Sequence, residues 1–372
     1  MSSLAPVPRF SEEFALGITS RLEQTASYSK TYPITRRLFS VNRELLNMCS
    51  LHLISLPRKA NTNLVSGRHM EGCMPMSSHP DAAVGKHAFL VMAHKDDEVL
   101  HTLMRVLDDE RNDIFIHMDA KIGGWDEKRL LASVGKAGIY LVPRIRVTWG
   151  GYSQIACELS LLNSAVAKGQ YSYYHLLSGQ DLPIKSQDQI HSFFDSCGNK
   201  EFIRFENHNR DYRRRIGGHI IWNTFGISKS QVFLRKMDGL LSGILQCFRK
   251  PARDLELMKG DNWFSITDGL ARYLVKNASS IRSVFWDSMC GDEIFLQTEV
   301  WNSGSRFRYF RAPGDQSDDA IMRLIDWGLD ESPRVLGITD LDRIRNSRMM
   351  FARKFDSEID CDIVKSIEAM VQ

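Results

Sequence analysis

From Lys86 onward, short continuous apolar runs alternate with stretches of helical spacing. HAFLVMAH (87–94) reads as a strand buried on both faces, and Asp96 to Leu107 repeats Val99, Leu100, Leu103, Val106 and Leu107 at helical intervals. DIFIHMD (113–119) is a second strand, GIYLVP (138–143) a third, Ser153 to Ala167 a helix, and YYHLLSGQDLPI (173–184) a strand running into a loop. Strands and helices in this order predict an α/β fold with a mostly parallel central sheet and helices on both faces. Ligands of such sheets sit outside the carboxyl ends of the strands. The residues to inspect are therefore Val91-Met92-Ala93-His94, His117 through Lys121, and Arg144 through Trp149.

Residues 1–85 lack this periodicity. They mix Ser, Pro, Arg and Met and end in the linker-like GCMPMSSHPDAAVG, so a weakly ordered N-terminal extension followed by one large domain, 86–372, is expected. At 372 residues, 43% hydrophobic and 25% charged, the chain can bury a sizeable core. Its 48 basic and 45 acidic residues leave a formal charge of +3, too balanced to imply nucleic acid as a partner. No apolar run reaches the roughly 20 residues of a membrane-spanning helix; Leu45–Leu56 is broken by Asn47, Ser50, His52 and Ser55. Any membrane contact is expected to be peripheral. Glu12 and Glu13 interrupt what would be a secretory signal. Seven scattered cysteines without a CxxC fit reduced thiols and a cytoplasmic location.

Candidate chemistry concentrates in FWDSMCGDEIFLQTEVWNSGSRFRYFR (285–311), where Asp292 and Glu293 stand between a glycine and the apolar Ile294, Phe295 and Leu296. A carboxylate at a helix start can act as a base, or can simply be a first-turn helix acid. A nucleotide outside the strand ends would place its base against Trp149 or the Val91–Ala93 backbone and its ribose on Asp119; equally, Asp119 could end a strand and Trp149 fill core. There is no GxxxxGK[ST] and no GxGxxG opening a helix after a strand, which disfavours kinases and Rossmann dehydrogenases. Asp340/Asp342 and Asp360/Asp362 have DxD spacing but lie near the C-terminus, away from the second-strand end, and read as solvated faces. HMDAK, one carboxylate followed by Lys121, is a poor site for a hard dication. Without a metal, a diphosphate leaving group needs fixed cations. Arg334, Arg343, Arg345, Arg348, Arg353 and Lys354 offer them, unless they form an ordinary charged face.

Taken in order, AHKDDEVL, FIHMDAK, TWGGYSQIACELSLLNSA, YYHLLSGQDLPIKSQ, KGDNWFSIT, CGDEIFLQT and SPRVLGITDLDRI with MMFARKFD resemble glycosyltransferase family 14. That family holds the core-2/I-branching β-1,6-N-acetylglucosaminyltransferases and the peptide O-xylosyltransferases. The resemblance spans Lys86 to about Asp362. It implies a GT-A-type fold and an inverting, metal-independent transfer from a UDP-sugar to a glycan hydroxyl, with no cofactor beyond the donor. By position, Glu293 matches the family's catalytic base, and Arg334 and Lys354 its diphosphate-binding cations. Val91, Met92, Ala93, Asp119, Ala120, Lys121 and Trp149 match positions around the uridine, while Asp292 is expected to cap the helix that presents Glu293. Trp327 matches an acceptor-side aromatic, and the run Arg213, Arg214 and Arg215 falls in the acceptor region. The chain departs from the branching enzymes at Leu329, where they carry tyrosine, and neither the N-terminal anchor nor the many disulfides of the family's luminal members are expected in it. N-acetylglucosamine is the leading donor sugar; xylose transfer, or sugar binding without turnover, are the alternatives.

A protein beginning near Gly85 is expected to fold and turn over. Insolubility of that truncation, or survival of residues 1–85 under limited proteolysis of the full chain, would move the domain boundary.

Overall fold

The computed structural model describes residues 85–206, 212–227, 231–248, 254–315, 317–328 and 332–372. Except for Gly85, the expected N-terminal extension lies outside these residues, as does Leu329.

The chain opens with β1 (His87–Ala93), α1 (Glu98–Val106), β2 (Asn112–Met118), α2 (Glu127–Ala132), β3 (Gly138–Leu141), α3 (Tyr152–Lys168) and β4 (Tyr173–Ser178). It continues through β5 (Asp181–Pro183), α4 (Gln187–Ser196), α5 (Ile220–Phe225), α6 (Val232–Phe248), β6 (Ser265–Thr267), α7 (Asp268–Lys276), α8 (Ala278–Phe285) and α9 (Phe295–Asn302). It closes with β7 (Arg323–Ile325), α10 (Leu341–Arg345), β8 (Phe351–Arg353) and α11 (Cys361–Val371). Each element anticipated between Lys86 and Ile184 is present, with ends moved by one or two residues. The helix anticipated from Asp96 starts at Glu98 because Asp97 caps it, its carboxylate accepting from the Leu100 N–H. The anticipated loop after β4 instead contains β5.

The main sheet runs β3-β2-β1-β4-β6, parallel except for β6, which pairs antiparallel with β4. A mostly parallel central sheet flanked by helices is thus what the chain forms. Alternation along β1 explains its continuous apolar text. Phe89, Val91 and Ala93 pack with Val99, Leu100 and Leu103 of α1 and Ile363, Val364 and Ile367 of α11. Ala88 and Leu90 pack on the other face with Ile155, Leu159 and Leu162 of α3 and with Leu270, Phe285 and Phe295.

A second sheet, β5-β8-β7, pairs Asp181–Pro183 with Phe351–Arg353 and brings the basic C-terminal text to the carboxyl end of the main sheet. The Gly179 N–H donates to the Met92 carbonyl (3.0 Å), the Phe355 N–H to Gln180 (2.9 Å), and the Leu336 N–H to Lys354 (2.9 Å). Backbone hydrogen bonds therefore connect the end of β1 to Lys354 and onward to the segment bearing Arg334. The five cysteines among the described residues are free thiols. No helix among the described residues is long and apolar enough to cross a membrane.

Candidate active site

Asp292 and Glu293 occupy a single 3₁₀ turn, Gly291–Glu293, ahead of α9, rather than the first turn of the helix. Cys290 precedes the turn in the left-handed region (φ 48°), and a Cβ on Gly291 would come within 2.1 Å of the Ser288 hydroxyl. Only glycine permits that approach. Three backbone bonds fasten the turn: the Cys290 N–H donates to Gly150 (2.6 Å), the Met289 N–H to Arg215 (2.8 Å) and the Gly260 N–H to Glu293 (2.9 Å). Each draws a chemically useful residue to Glu293. Arg215 Nη1 donates to Glu293 Oε2 at 2.8 Å, and Lys259 Nζ stands 3.5 Å from the same oxygen while also gripping Glu206. Glu293 is 38% exposed, and its Oε1 has no partner among the described residues. One oxygen is held and the other is open, which is how a carboxylate is aimed at a proton.

Asp292 does not cap a helix. It is buried under Glu293, with Oδ2 accepting from Gln154 of α3 (3.1 Å) and Oδ1 without a hydrogen-bond partner. Burial, then the charge of Glu293, raises its pKa from 3.8 to about 7. Glu158, one helical turn beyond Gln154, is fully buried with both oxygens unpartnered; burial, then Asp292, pushes its carboxyl well up. The 3₁₀ turn thus rests on two carboxyls that favour the neutral form, and Glu293 is the one open to solvent.

Backbone hydrogen bonds join the strand-end residues. The Asp119 N–H donates to the Ala93 carbonyl (2.8 Å), joining the ends of β1 and β2. Asp119 is buried: Oδ1 accepts from the N–H groups of Lys121 (2.8 Å) and Val147 (3.4 Å), and Oδ2 lies 3.3 Å from Lys121 Nζ. The Ala120 N–H donates to the Ile145 carbonyl (3.0 Å). The loop from Arg144 to Gly151 is thereby drawn across the strand ends to Cys290. Val91 and Ala93 are buried and Met92 is half-buried. Trp149 does not fill core: it is 63% exposed, with its ring 6.1 Å from that of Trp222. Trp222 also lines a cavity with His219, Arg235, Lys236, Asp238 and Met289 beside the turn.

Arg334 lies in an ion-pair network. Its guanidinium donates to Asp326 (2.6 Å) and Asp340 (2.7 Å), and Arg343 shares Asp326 (2.7 Å). Asp340, expected on a solvated face, is buried against Arg334; Asp360, expected likewise, caps α11 and accepts from the Ile338 N–H (2.7 Å). Asp342 and Asp362 are the exposed members of those pairs. The Lys354 ammonium has no ion-pair partner among the described residues. Trp327, 49% exposed, immediately follows Asp326. Arg213 and Arg214 are exposed in the turn that sends Arg215 to Glu293.

A family model described as Core-2/I-Branching enzyme matches residues 87–336, most of the chain. The chain belongs to the core-2/I-branching enzyme family. It is accordingly a glycosyltransferase, with a nucleotide-sugar donor and a glycan acceptor. Within this family member, Glu293 and Arg334 fall inside the matched span and Lys354 beyond it. No curated protein sequence matches the chain. Among solved structures, the apo form of mouse xyloside xylosyltransferase 1 overlays 72% of this chain and 96% of its own, at 11% identity and a TM-score of 0.31. So loose a superposition transfers neither residues nor activity.

Lys259, Gln154 and Glu158 received no role from the sequence, and Arg215 only an acceptor-side one. Lys259 stood in the KGDNW motif and Arg215 ended an arginine run, but nothing in linear spacing ties either to Glu293.

The buried pair makes stability depend on pH. Because the folded pKa of Asp292 is raised, its contribution is full below 3.8 and is lost as pH rises through about 7. Asp292→Asn is expected to flatten the fall in unfolding free energy across that interval, by up to about 1.4 kcal/mol per pH unit, in urea titrations from pH 4 to 8. Identical slopes for the two proteins would show that Asp292 ionises freely.

Proposed function

We propose that this glycosyltransferase moves N-acetylglucosamine from its UDP donor to a glycan hydroxyl by one inverting displacement that uses no metal. The observation that carries the reading is the divided Glu293 carboxylate: Oε2 held by Arg215 and Lys259, Oε1 open. Glu293 Oε1 takes the proton from the acceptor hydroxyl as that oxygen attacks the anomeric carbon. The bond from that carbon to the diphosphate oxygen breaks on the opposite face, and UDP leaves. The uridine lies along Val91–Ala93, Asp119–Lys121 and Trp149, and the acceptor along Trp327, Arg213 and Arg214.

Arg334 and Lys354 stabilise the charge that grows on the departing diphosphate. Arg334 comes preoriented by Asp326 and Asp340, and these carboxylates offset much of its charge; Lys354 brings an ammonium with no ion-pair partner among the described residues. Metal independence is supported by the other duties of the nearby acids: Asp119 serves Lys121 and Val147, Asp340 serves Arg334, and Asp360 caps a helix.

Glu293→Gln is expected to lower turnover by roughly 100-fold or more while UDP-sugar still binds. The assay is UDP release from UDP-GlcNAc, UDP-xylose, UDP-galactose and UDP-glucose. Strong preference for xylose would replace the donor assignment, and binding without release would indicate a sugar-binding protein.

Turnover should persist in EDTA. It should fall in both Arg334→Ala and Lys354→Ala, by about 100- to 1,000-fold for Lys354 and less for Arg334. Loss of activity in EDTA that manganese restores would overturn the metal-free reading.

A further inference from the structure

At the opposite end of the sheet, where β1, β2 and β4 begin, lies a group of side chains with no part in sugar transfer. His87, the first residue of β1, pairs in register with Asn112 of β2 and Tyr173 of β4. Above it, α4 presents His191 and Asp195, four residues apart and so on one helix face. The His87 and His191 rings stack with centroids 3.9 Å apart. One nitrogen of each histidine and a carboxylate oxygen of Asp195 lie within 4.8 Å of one another. His191 and Asp195 line a cavity with Lys86, Arg111 and Ser192, and His87 is buried behind them.

Hydrogen bonding decides which nitrogens carry lone pairs. Asn112 Nδ2 donates to the Leu107 carbonyl (2.9 Å) and to Gln187 Oε1 (2.8 Å), and Gln187 is oriented in turn because its Nε2 donates to the Val106 carbonyl (2.8 Å). Asn112 Oδ1 must then face His191 Nε2, 2.8 Å away, and accept its proton. That leaves His191 Nδ1 as a lone pair, buried and without a hydrogen-bond partner. A buried acceptor with no donor is costly and calls for an explanation.

His87 is supported differently. Its Nδ1 lies 3.1 Å from His175 Nε2, and His175 Nδ1 lies 2.8 Å from the Ser265 hydroxyl. This chain is satisfied with its protons running in either direction. His87 Nε2 can therefore donate to Asp195 (3.3 Å), or present a lone pair with no loss inside the core.

We propose that His87 Nε2, His191 Nδ1 and the Asp195 carboxylate form a divalent transition-metal site of zinc type, tying α4 to the starts of β1 and β2. Two imidazoles and one carboxylate leave a fourth position for water. Asn112 and His175 fill the supporting role that carbonyls and second partners play around metal-bound histidines. Ligands of tetrahedral zinc stand about 3.3 Å apart, so the site must close from its present spread. Asp195, with a side chain 44% exposed and no hydrogen bond among the described residues other than to His87, can supply its part of that movement, and the stacked His87 and His191 rings must turn to supply the rest. Nearby Arg111 is paired with Asp109 and Asp188, and Lys86 with Asp113, which offsets their repulsion of a cation.

The test is zinc binding by the full chain after EDTA treatment and dialysis, with metal counted by mass spectrometry and cobalt used as a spectroscopic probe. Wild type is expected to hold one equivalent more than Asp195→Ala or His191→Gln, with affinity at least tenfold higher, and to gain melting temperature with zinc where the variants do not. Asp195 is partly exposed, so its variant should fold even if His191→Gln does not. Equal zinc stoichiometry and affinity in wild type and Asp195→Ala, or no zinc bound by wild type, would overturn the proposal.

Discussion

A parallel sheet buried on both faces leaves chemistry only at the ends of its strands, and this constraint organises the molecule. The side chains of β1 alternate between two cores, so nothing polar can be placed midway along it without an internal partner. The carboxyl ends instead gather Asp119, the loop to Trp149 and the segment leading to Lys354 through backbone hydrogen bonds. The amino ends gather the histidines. The two groups are separated by the length of the strands.

Glu293 depends on that arrangement through its neighbours. The 3₁₀ turn is held where a glycine fits against Ser288 and where Gly150 can accept from Cys290. Electrostatics then separates two adjacent acids. Asp292, sealed above Glu158, favours its proton; Glu293, facing solvent with Arg215 and Lys259 on one oxygen, has charge compensation for the ionised form. Environment, not residue type, distinguishes a structural carboxyl from one that can act as a base. Arg334 and Lys354 show the same contrast among cations: one is bracketed by two aspartates and the other lacks a carboxylate partner among the described residues.

Much of the fold was legible in the linear pattern, because strand and helix periods are local and β1, α1, β2 and α3 are strongly periodic. The family was legible as well, since ordered motifs survive as text. Conflicts arose where the decisive contact is not set by a helix or strand period. Asp292 reads as a helix cap until burial under Glu293 shows otherwise. Asp340 reads as a surface acid until its carboxylate is found on Arg334, and Trp149 reads equally as core or surface until its ring is seen exposed.

The sequence by itself determined the order of elements from β1 to β4, the strand ends to inspect, the family, and Glu293 as the carboxylate to examine. Tertiary structure alone decided which cations meet which acids: Arg215 and Lys259 at Glu293, Asp326 and Asp340 at Arg334, and His191 beside His87. The reason is physical. Periodicity reports which face of an element is buried, whereas a side chain's charge state and partners depend on residues from 6 to 138 positions away that only folding brings within a few ångströms.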